Sequence, residues 1–153
     1  MKLCPDDITI RLEKPEDKRE IEKLHAAVFG PGRFARTAYR IREGALAPTG
    51  LARVIFTGRE LVGSVQLTPI EIGSQVGATL LGPLAIAAEH TGMGHGRTLI
   101  AASLDAARKD GYALVILVGD RAYYETSGFE PVPPGQIQMP GPVDPARLLA
   151  AEL

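Results

Sequence analysis

Five consecutive residues, Gly92-Met93-Gly94-His95-Gly96, form the stretch of this chain best suited to chemistry. Glycines let the backbone turn tightly and aim successive N–H groups inward, and a helix starting directly after them adds partial positive charge. Such a turn suits a phosphate or pyrophosphate. It is not the phosphate loop of ATPases, because no Gly-Lys-Ser/Thr follows. It is a poor dinucleotide fingerprint too, since Arg97 puts a large side chain where helix and strand should pack closely. A short glycine cluster also fits a plain turn or helix start, so the neighbouring residues decide.

Those neighbours are a strand and a helix. Thr79 to Ala87 is nearly all apolar and predicts a buried strand. From Arg97 to Asp110, Leu99, Ala102, Ser103, Ala106 and Ala107 make one helical stripe, with Thr98, Ala101, Asp105 and Arg108 on the other face. Gly111 stops this helix. The apolar run Ala113–Val118 then predicts a strand buried on both faces, parallel to the first through a right-handed crossover.

Gly82-Pro83 interrupts the central strand: proline removes a ladder donor and glycine permits a bulge. Pairing should weaken there, leaving N–H and C=O groups of Leu84, Ala85 and Ile86 free for an extended, amide-containing ligand. The plainer reading is a kinked edge strand. A ligand with amides beside a pyrophosphate would satisfy both the free edge and the glycine turn. Coenzyme A, with its pantetheine arm, has that form.

The rest of the chain frames these elements. Ile8, Ile10 and Leu12 alternate as a half-buried first strand. Pro15, Glu16 and Asp17 open a helix with Ile21, Leu24 and Val28 on one face, ended by Gly30-Pro31-Gly32. A second helix is expected over Phe34–Glu43 and a loop over Ala45–Gly50. Strands follow at Ala52–Thr57 and Leu61–Pro69, joined as a hairpin, with a turn over Glu71–Gly77. Asp120 caps a short helix through Ser127, ended by Gly128, and Phe129–Val132 suits another strand. Asp144-Pro145 reads as the start of a closing helix over Ala146–Glu152. The expected order is strand, two helices, three strands, helix, strand, helix, strand.

Composition narrows the function classes. The chain has 153 residues, enough for one domain with a sizeable core, and a net charge of −1 offers no global field for nucleic acid or an acidic membrane. No apolar run reaches spanning length, and Met1 to Asp7 lacks the apolar centre of a signal peptide. Cys4 is the single cysteine, so no internal disulfide forms, and no Cys/His cluster has metal-ligand spacing. The expectation is a cytoplasmic, metal-free protein.

The stretch Asp120-Arg121-Ala122-Tyr123-Tyr124-Glu125-Thr126-Ser127-Gly128-Phe129 adds a family resemblance. With the glycine cluster, it resembles the GNAT superfamily of acetyl-CoA-dependent N-acyltransferases, in a small bacterial branch. Thr91-Gly92-Met93-Gly94-His95-Gly96 meets the family's Gln/Arg-x-x-Gly-x-Gly/Ala motif, and Tyr124 to Phe129 meets its Tyr-x-x-x-Gly-Phe motif. Two positions depart: Thr91 stands where Gln or Arg is usual, and Met93 where a basic residue is common. The resemblance covers nearly the whole chain in element order and implies a single GNAT domain. Its fold is α/β (α+β type): a mixed, mostly antiparallel sheet with a parallel βαβ pair splayed at the centre and helices on both faces. It also implies acetyl-CoA as co-substrate, with the backbones of Leu84, Ala85 and Ile86 on the pantetheine arm. The backbones of Gly92, Met93, Gly94, His95, Gly96 and Arg97 would hold the pyrophosphate, and the Arg97 side chain is a further candidate for a phosphate contact.

Tyr124 is the candidate general acid, able to protonate the thiolate expelled when an amine attacks the thioester. Tyr123 reads as packing, and His90 and His95 as loop or helix-start residues. Glu71 and His25 are candidate bases, each of a kind more often just a surface or core residue. Arg33, Arg36 and Arg40 would share a face of the second helix, either for an acidic substrate or simply solvated. Phe29 and Phe34 would line an acceptor pocket or pack the helices. The implied acceptor is a primary amine of a small molecule or peptide, and a homodimer through the proline-rich tail or a sheet edge fits as well. The alternative is a non-catalytic CoA-binding sensor or interaction domain. A nucleotide-binding domain is a third reading.

Overall fold

The computed structural model describes residues 8–32, 51–73, 75–133, 135–137, 139 and 143–153. The expected second helix over Phe34–Glu43 lies outside the described residues. So do Arg33, Arg36, Arg40, the loop over 45–50 and Cys4.

Seven strands form one sheet in the order β1-β2-β3-β4-β5-β7-β6. They are β1 (Ile8–Leu12), β2 (Arg53–Thr57), β3 (Glu60–Ile72), β4 (Gln75–Ile86), β5 (Leu114–Val118), β6 (Glu130–Pro131) and β7 (Leu148–Glu152). All neighbours run antiparallel except β4 and β5, the expected parallel pair. The helices are α1 (Lys18–Phe29), α2 (His95–Lys109) and the short α3 (Arg121–Tyr124).

Two adjacent β3 residues show that helices cover both faces. A Cβ on Gly63 would meet Leu99 of α2, whereas the Ser64 hydroxyl lies 3.2 Å from the His25 Nε2 of α1. Successive residues of a strand point to opposite sides, so α1 and α2 sit on opposite faces. The main core lies beneath α2, where Leu99, Ile100, Leu104 and Ala107 meet Ile55, Val65, Leu67, Leu81, Val115 and Leu117. Ile100 and Leu104 thus join the buried face, while Ala102 and Ala106 of the expected stripe stay at its half-buried margin.

Four sequence expectations change. The tail Leu148–Glu152 is strand β7, not a helix. Asp144 does cap a turn, its Oδ1 accepting from the Ala146 N–H at 2.9 Å, but that 3-10 turn ends at Arg147. Leu-Leu-Ala-Ala-Glu favours a helix locally, yet β5 offers an unpaired edge, and five-residue pairing with it buries Leu148, Leu149 and Ala151. On α1, Val28 is 40% exposed, and His25 joins Ile21 and Leu24 on the buried face. The expected turn over Glu71–Gly77 is instead a longer ribbon, with β3 running to Ile72 and β4 starting at Gln75. The first strand is an edge strand, with Ile8 and Leu12 exposed and only Ile10 packed on the core.

Candidate active site

The site begins where the sheet opens. β4 and β5 pair over only three positions, Ala78↔Leu114, Thr79↔Val115 and Leu80↔Ile116. Beyond them β5 continues alongside β7, with Leu117↔Leu149 and Val118↔Leu148, while β4 stays with β3. From Leu81 to Ile86 the β5-facing edge of β4 therefore has no ladder partner among the described residues.

Gly82-Pro83 lies just past the last β4–β5 pair, Leu80↔Ile116. Gly82 has φ 130°, the Gly82-Pro83 peptide is cis, and the register against β3 shifts between Val65↔Leu84 and Leu67↔Leu81. Leu84, Ala85 and Ile86 are not free on both sides, because they pair with Val65, Ser64 and Gly63. The expectation of an open edge holds for the β5 side alone. Side chains alternate along it: Ile86 packs toward Gly63 and the α2 core, and Ala85 lies opposite Ser64.

The glycine turn lies at the end of β4, after the 3-10 turn Ala88–His90. Gly92 (φ 79°) and Gly94 (φ 82°) take left-handed conformations that a side chain would strain, with Gly94 as the N-cap of α2. The Thr98 N–H makes the first helical bond, to Gly94 O at 3.0 Å, so the amides of His95, Gly96 and Arg97 precede the ladder. These orphan donors and the helix dipole give the turn the local charge that suits an anion.

Around the turn, side-chain donors are scarce. The Thr91 hydroxyl donates to Ala88 O at 3.0 Å, and the Thr98 hydroxyl to Gly94 O at 2.9 Å. Met93 is exposed and apolar. His90 and His95 flank the turn with ring centroids 6.2 Å apart. His90 Nδ1 and His95 Nε2 are buried without a hydrogen-bond partner among the described residues.

α3 follows β5 and so opens onto the same end of the splay. Asp120 caps it as expected, its Oδ1 accepting from the Ala122 N–H at 3.1 Å, and Gly128 (φ 93°) ends the 3-10 turn Glu125–Ser127. Tyr124 is half-buried in a chain of aromatic edges, 4.9 Å from Tyr123 and 5.9 Å from Phe129 between centroids. Its ring fills the space beside Gly119. The Tyr123 ring carries the Arg97 guanidinium at 5.9 Å, and its hydroxyl abuts Gly96. Burial pushes the Tyr123 phenol above its ordinary pKa, and Arg97 opposes this, so Tyr123 is a protonated donor at neutral pH.

The structure thus brings together the Leu84–Ile86 edge, the glycine turn and Tyr124. It does not bring Glu71 to them. Glu71 is exposed near the far end of β3, four residues past the Leu67↔Leu81 level and so about 13 Å along the strand. His25 is fully buried under α1 on the opposite face from α2, against Ser64 and edge-on to Phe29. The sequence reading missed Tyr123 as a neighbour of the turn. Its only trace there is the bare Gly96, which admits the phenol.

Comparison with known proteins agrees with this geometry. A family model described as an acetyltransferase (GNAT) domain matches residues 9–132. The uncharacterised N-acetyltransferase YhbS of Escherichia coli is 31% identical over 122 residues, covering 79% of this chain and 72% of YhbS. The uncharacterised N-acetyltransferase YjhQ of the same species is 27% identical over 126 residues, covering 80% and 70%. Among solved structures, E. coli YhbS in complex with CoA superposes with TM-score 0.76 at 26% identity, covering 95% of this chain and 81% of that one. A Brucella melitensis GNAT acetyltransferase in complex with acetyl-CoA gives TM-score 0.70 at 29% identity, covering 94% of each. The splayed parallel pair, the glycine turn and the tyrosine helix therefore belong to an acyltransferase fold. This chain belongs to the GNAT acetyltransferase family, the acetyl-CoA-dependent N-acyltransferases.

No helix among the described residues is long and apolar enough to cross a membrane. Among the same residues, no group of three or more His, Cys, Asp or Glu side chains is placed to hold a metal ion.

Proposed function

We propose that this chain transfers an acetyl group from acetyl-CoA to a primary amine of a small molecule or peptide by direct attack, without a covalent enzyme intermediate. The observation that carries the proposal is the unpaired β5-facing edge of β4, which leads into the glycine turn and faces the tyrosine helix. The backbones of Leu84, Ala85 and Ile86 take the pantetheine amides as a further strand would. The amides of Gly92 through Arg97 take the pyrophosphate, and the Arg97 guanidinium adds positive charge. The apolar Met93 and the internally bonded Thr91 leave the phosphate contacts mainly to the backbone.

The chemistry needs one proton delivered and one removed. As the amine nitrogen bonds to the acyl carbon, the C–S bond breaks and the sulfur leaves as thiolate. Tyr124 gives that sulfur its phenolic proton; on reference values of about 10 for a phenol and about 8.5 for a thiol this transfer is uphill by only about 1.5 units, a small step for a positioned acid. The proton lost by the amine passes to solvent water, and the Tyr124 phenolate recovers a proton from solvent, which closes the cycle; Glu71 stands too far along β3 to take part, and we assign it no role. The whole chain acts as one domain, since β7 ties the residues beyond 132 into the same sheet beside β5.

Parallel calorimetric titrations with acetyl-CoA, CoA, ATP and NAD test the cofactor. Binding confined to the CoA pair is expected. Thiol release from acetyl-CoA, screened over an amine panel, then tests the reaction. CoA binding without amine-dependent release from any acceptor would favour a sensor domain, and no CoA binding would overturn the proposal.

A further inference from the structure

Gly96 is the second residue of α2, among the amides that precede its hydrogen-bond ladder, and a Cβ there would run into the Tyr123 hydroxyl. Tyr123 comes from the other side of the splay, on the helix that follows β5. Its oxygen makes no hydrogen bond within the described residues, nor is it among the buried polar atoms without a partner, so it is open to solvent. The other hydroxyls of the turn, on Thr91 and Thr98, are turned back onto backbone carbonyls. Arg97 lies over the Tyr123 ring, which keeps a cation beside the phenol.

We propose that the Tyr123 hydroxyl is a ligand of the phosphate turn, donating a hydrogen bond to the pyrophosphate held by the α2 amides. This rests on the CoA reading above and adds to it a side-chain contact from α3. A phenol that is protonated at neutral pH, has no protein partner and stands against an orphan-amide helix start is a donor placed for an anion.

Calorimetry with CoA and with inorganic pyrophosphate tests this on wild type, Tyr123→Phe, Gly96→Ala and the double variant, each checked for folding by circular dichroism. Tyr123→Phe should weaken CoA and pyrophosphate by the same factor, about tenfold or more for a lost bond to a charged acceptor. Gly96→Ala, which displaces the hydroxyl, should weaken both, and the double variant should stay as weak as Tyr123→Phe. CoA should also raise the alkaline phenol titration of the wild type, an effect lost in Tyr123→Phe and readable because the chain has four tyrosines and no tryptophan. Unchanged affinity in Tyr123→Phe, with wild-type binding restored in the double variant, would make the hydroxyl a packing group and overturn the assignment alone. Failure of the wild type to bind CoA would instead overturn the cofactor reading, and this inference with it.

Discussion

The ring of Tyr124 occupies the notch left by Gly119 at the end of β5: a Cβ on Gly119 would collide with Cε2 of that ring and sit 3.0 Å from Cδ2. The strand end thus sets where the candidate acid stands. Gly119→Ala must push the ring or the strand, and neither is a loose chain end. Overpacking of this kind costs about 1–3 kcal/mol. The variant should melt lower than the wild type and lose acetyl transfer while still binding CoA. Thermal melting and CoA calorimetry on one preparation check both halves.

Tyr124→Phe separates the acid from the packing. The ring edges with Tyr123 and Phe129 are kept and only the hydroxyl goes. Acetyl transfer should drop by up to about 100-fold, in the lower range of general acid–base contributions. The dissociation constant for CoA should stay within about twofold. An activated ester of a low-pKa thiol needs no proton on its leaving sulfur and would hide the effect, so acetyl-CoA itself is the substrate to use.

What the sequence made legible was local. The glycine turn, the β5 run and the Asp120-to-Gly128 helix each carry their start and stop signals within a few residues, and the structure places them as read. The Gly82-Pro83 break also announced itself. Pairings over long separations were not visible: Gly96 under Tyr123 and the Ser64 hydroxyl on His25 each join different elements. The tail was misread for the same reason. Leu148–Glu152 carries a helical composition, and only the vacant edge of β5, remote in sequence, makes it a strand.

Gly63 tests the packing beneath α2. A Cβ there would lie 2.7 Å from both Ile55 Cγ2 and Ile86 Cδ1 and 3.2 Å from Leu99 Cδ1. Ile86 also belongs to the open edge of β4, so relief of the clash would shift the strand that receives the pantetheine. Gly63→Ala should lose about 1–3 kcal/mol of stability by denaturant unfolding and weaken CoA binding as well. A stability loss with unchanged CoA affinity would mean that Ile55 and Leu99 absorb the strain.

The last prediction concerns acid. Arg11 of β1 grips Asp17, ahead of α1, with both ends of its guanidinium: Nη1 to Oδ2 at 2.7 Å and Nη2 to Oδ1 at 2.9 Å. The Lys14 N–H donates a third bond at 2.8 Å. The Arg11 hydrogen bond is the largest influence on the Asp17 carboxyl and lowers its pKa; burial opposes it, and the Lys14 bond and nearby charge reinforce it. A carboxylate whose folded pKa is depressed stabilises the fold above its unfolded pKa and loses that contribution as pH falls through the folded value. Stability from this pair should therefore be complete at neutral pH and decline below about pH 4, the ordinary aspartate range. Arg11 is 30% exposed, so solvent screening trims the gain to about 1 kcal/mol, or roughly 2–4 °C of melting temperature in a domain of this size. Asp17→Asn should melt lower than the wild type by that margin at pH 7, and the gap should narrow progressively as pH falls below about 4, since the titrations common to both proteins cancel. A gap that persists unchanged at pH 3 would show that Asp17 acts through shape and neutral hydrogen bonding rather than through its charge.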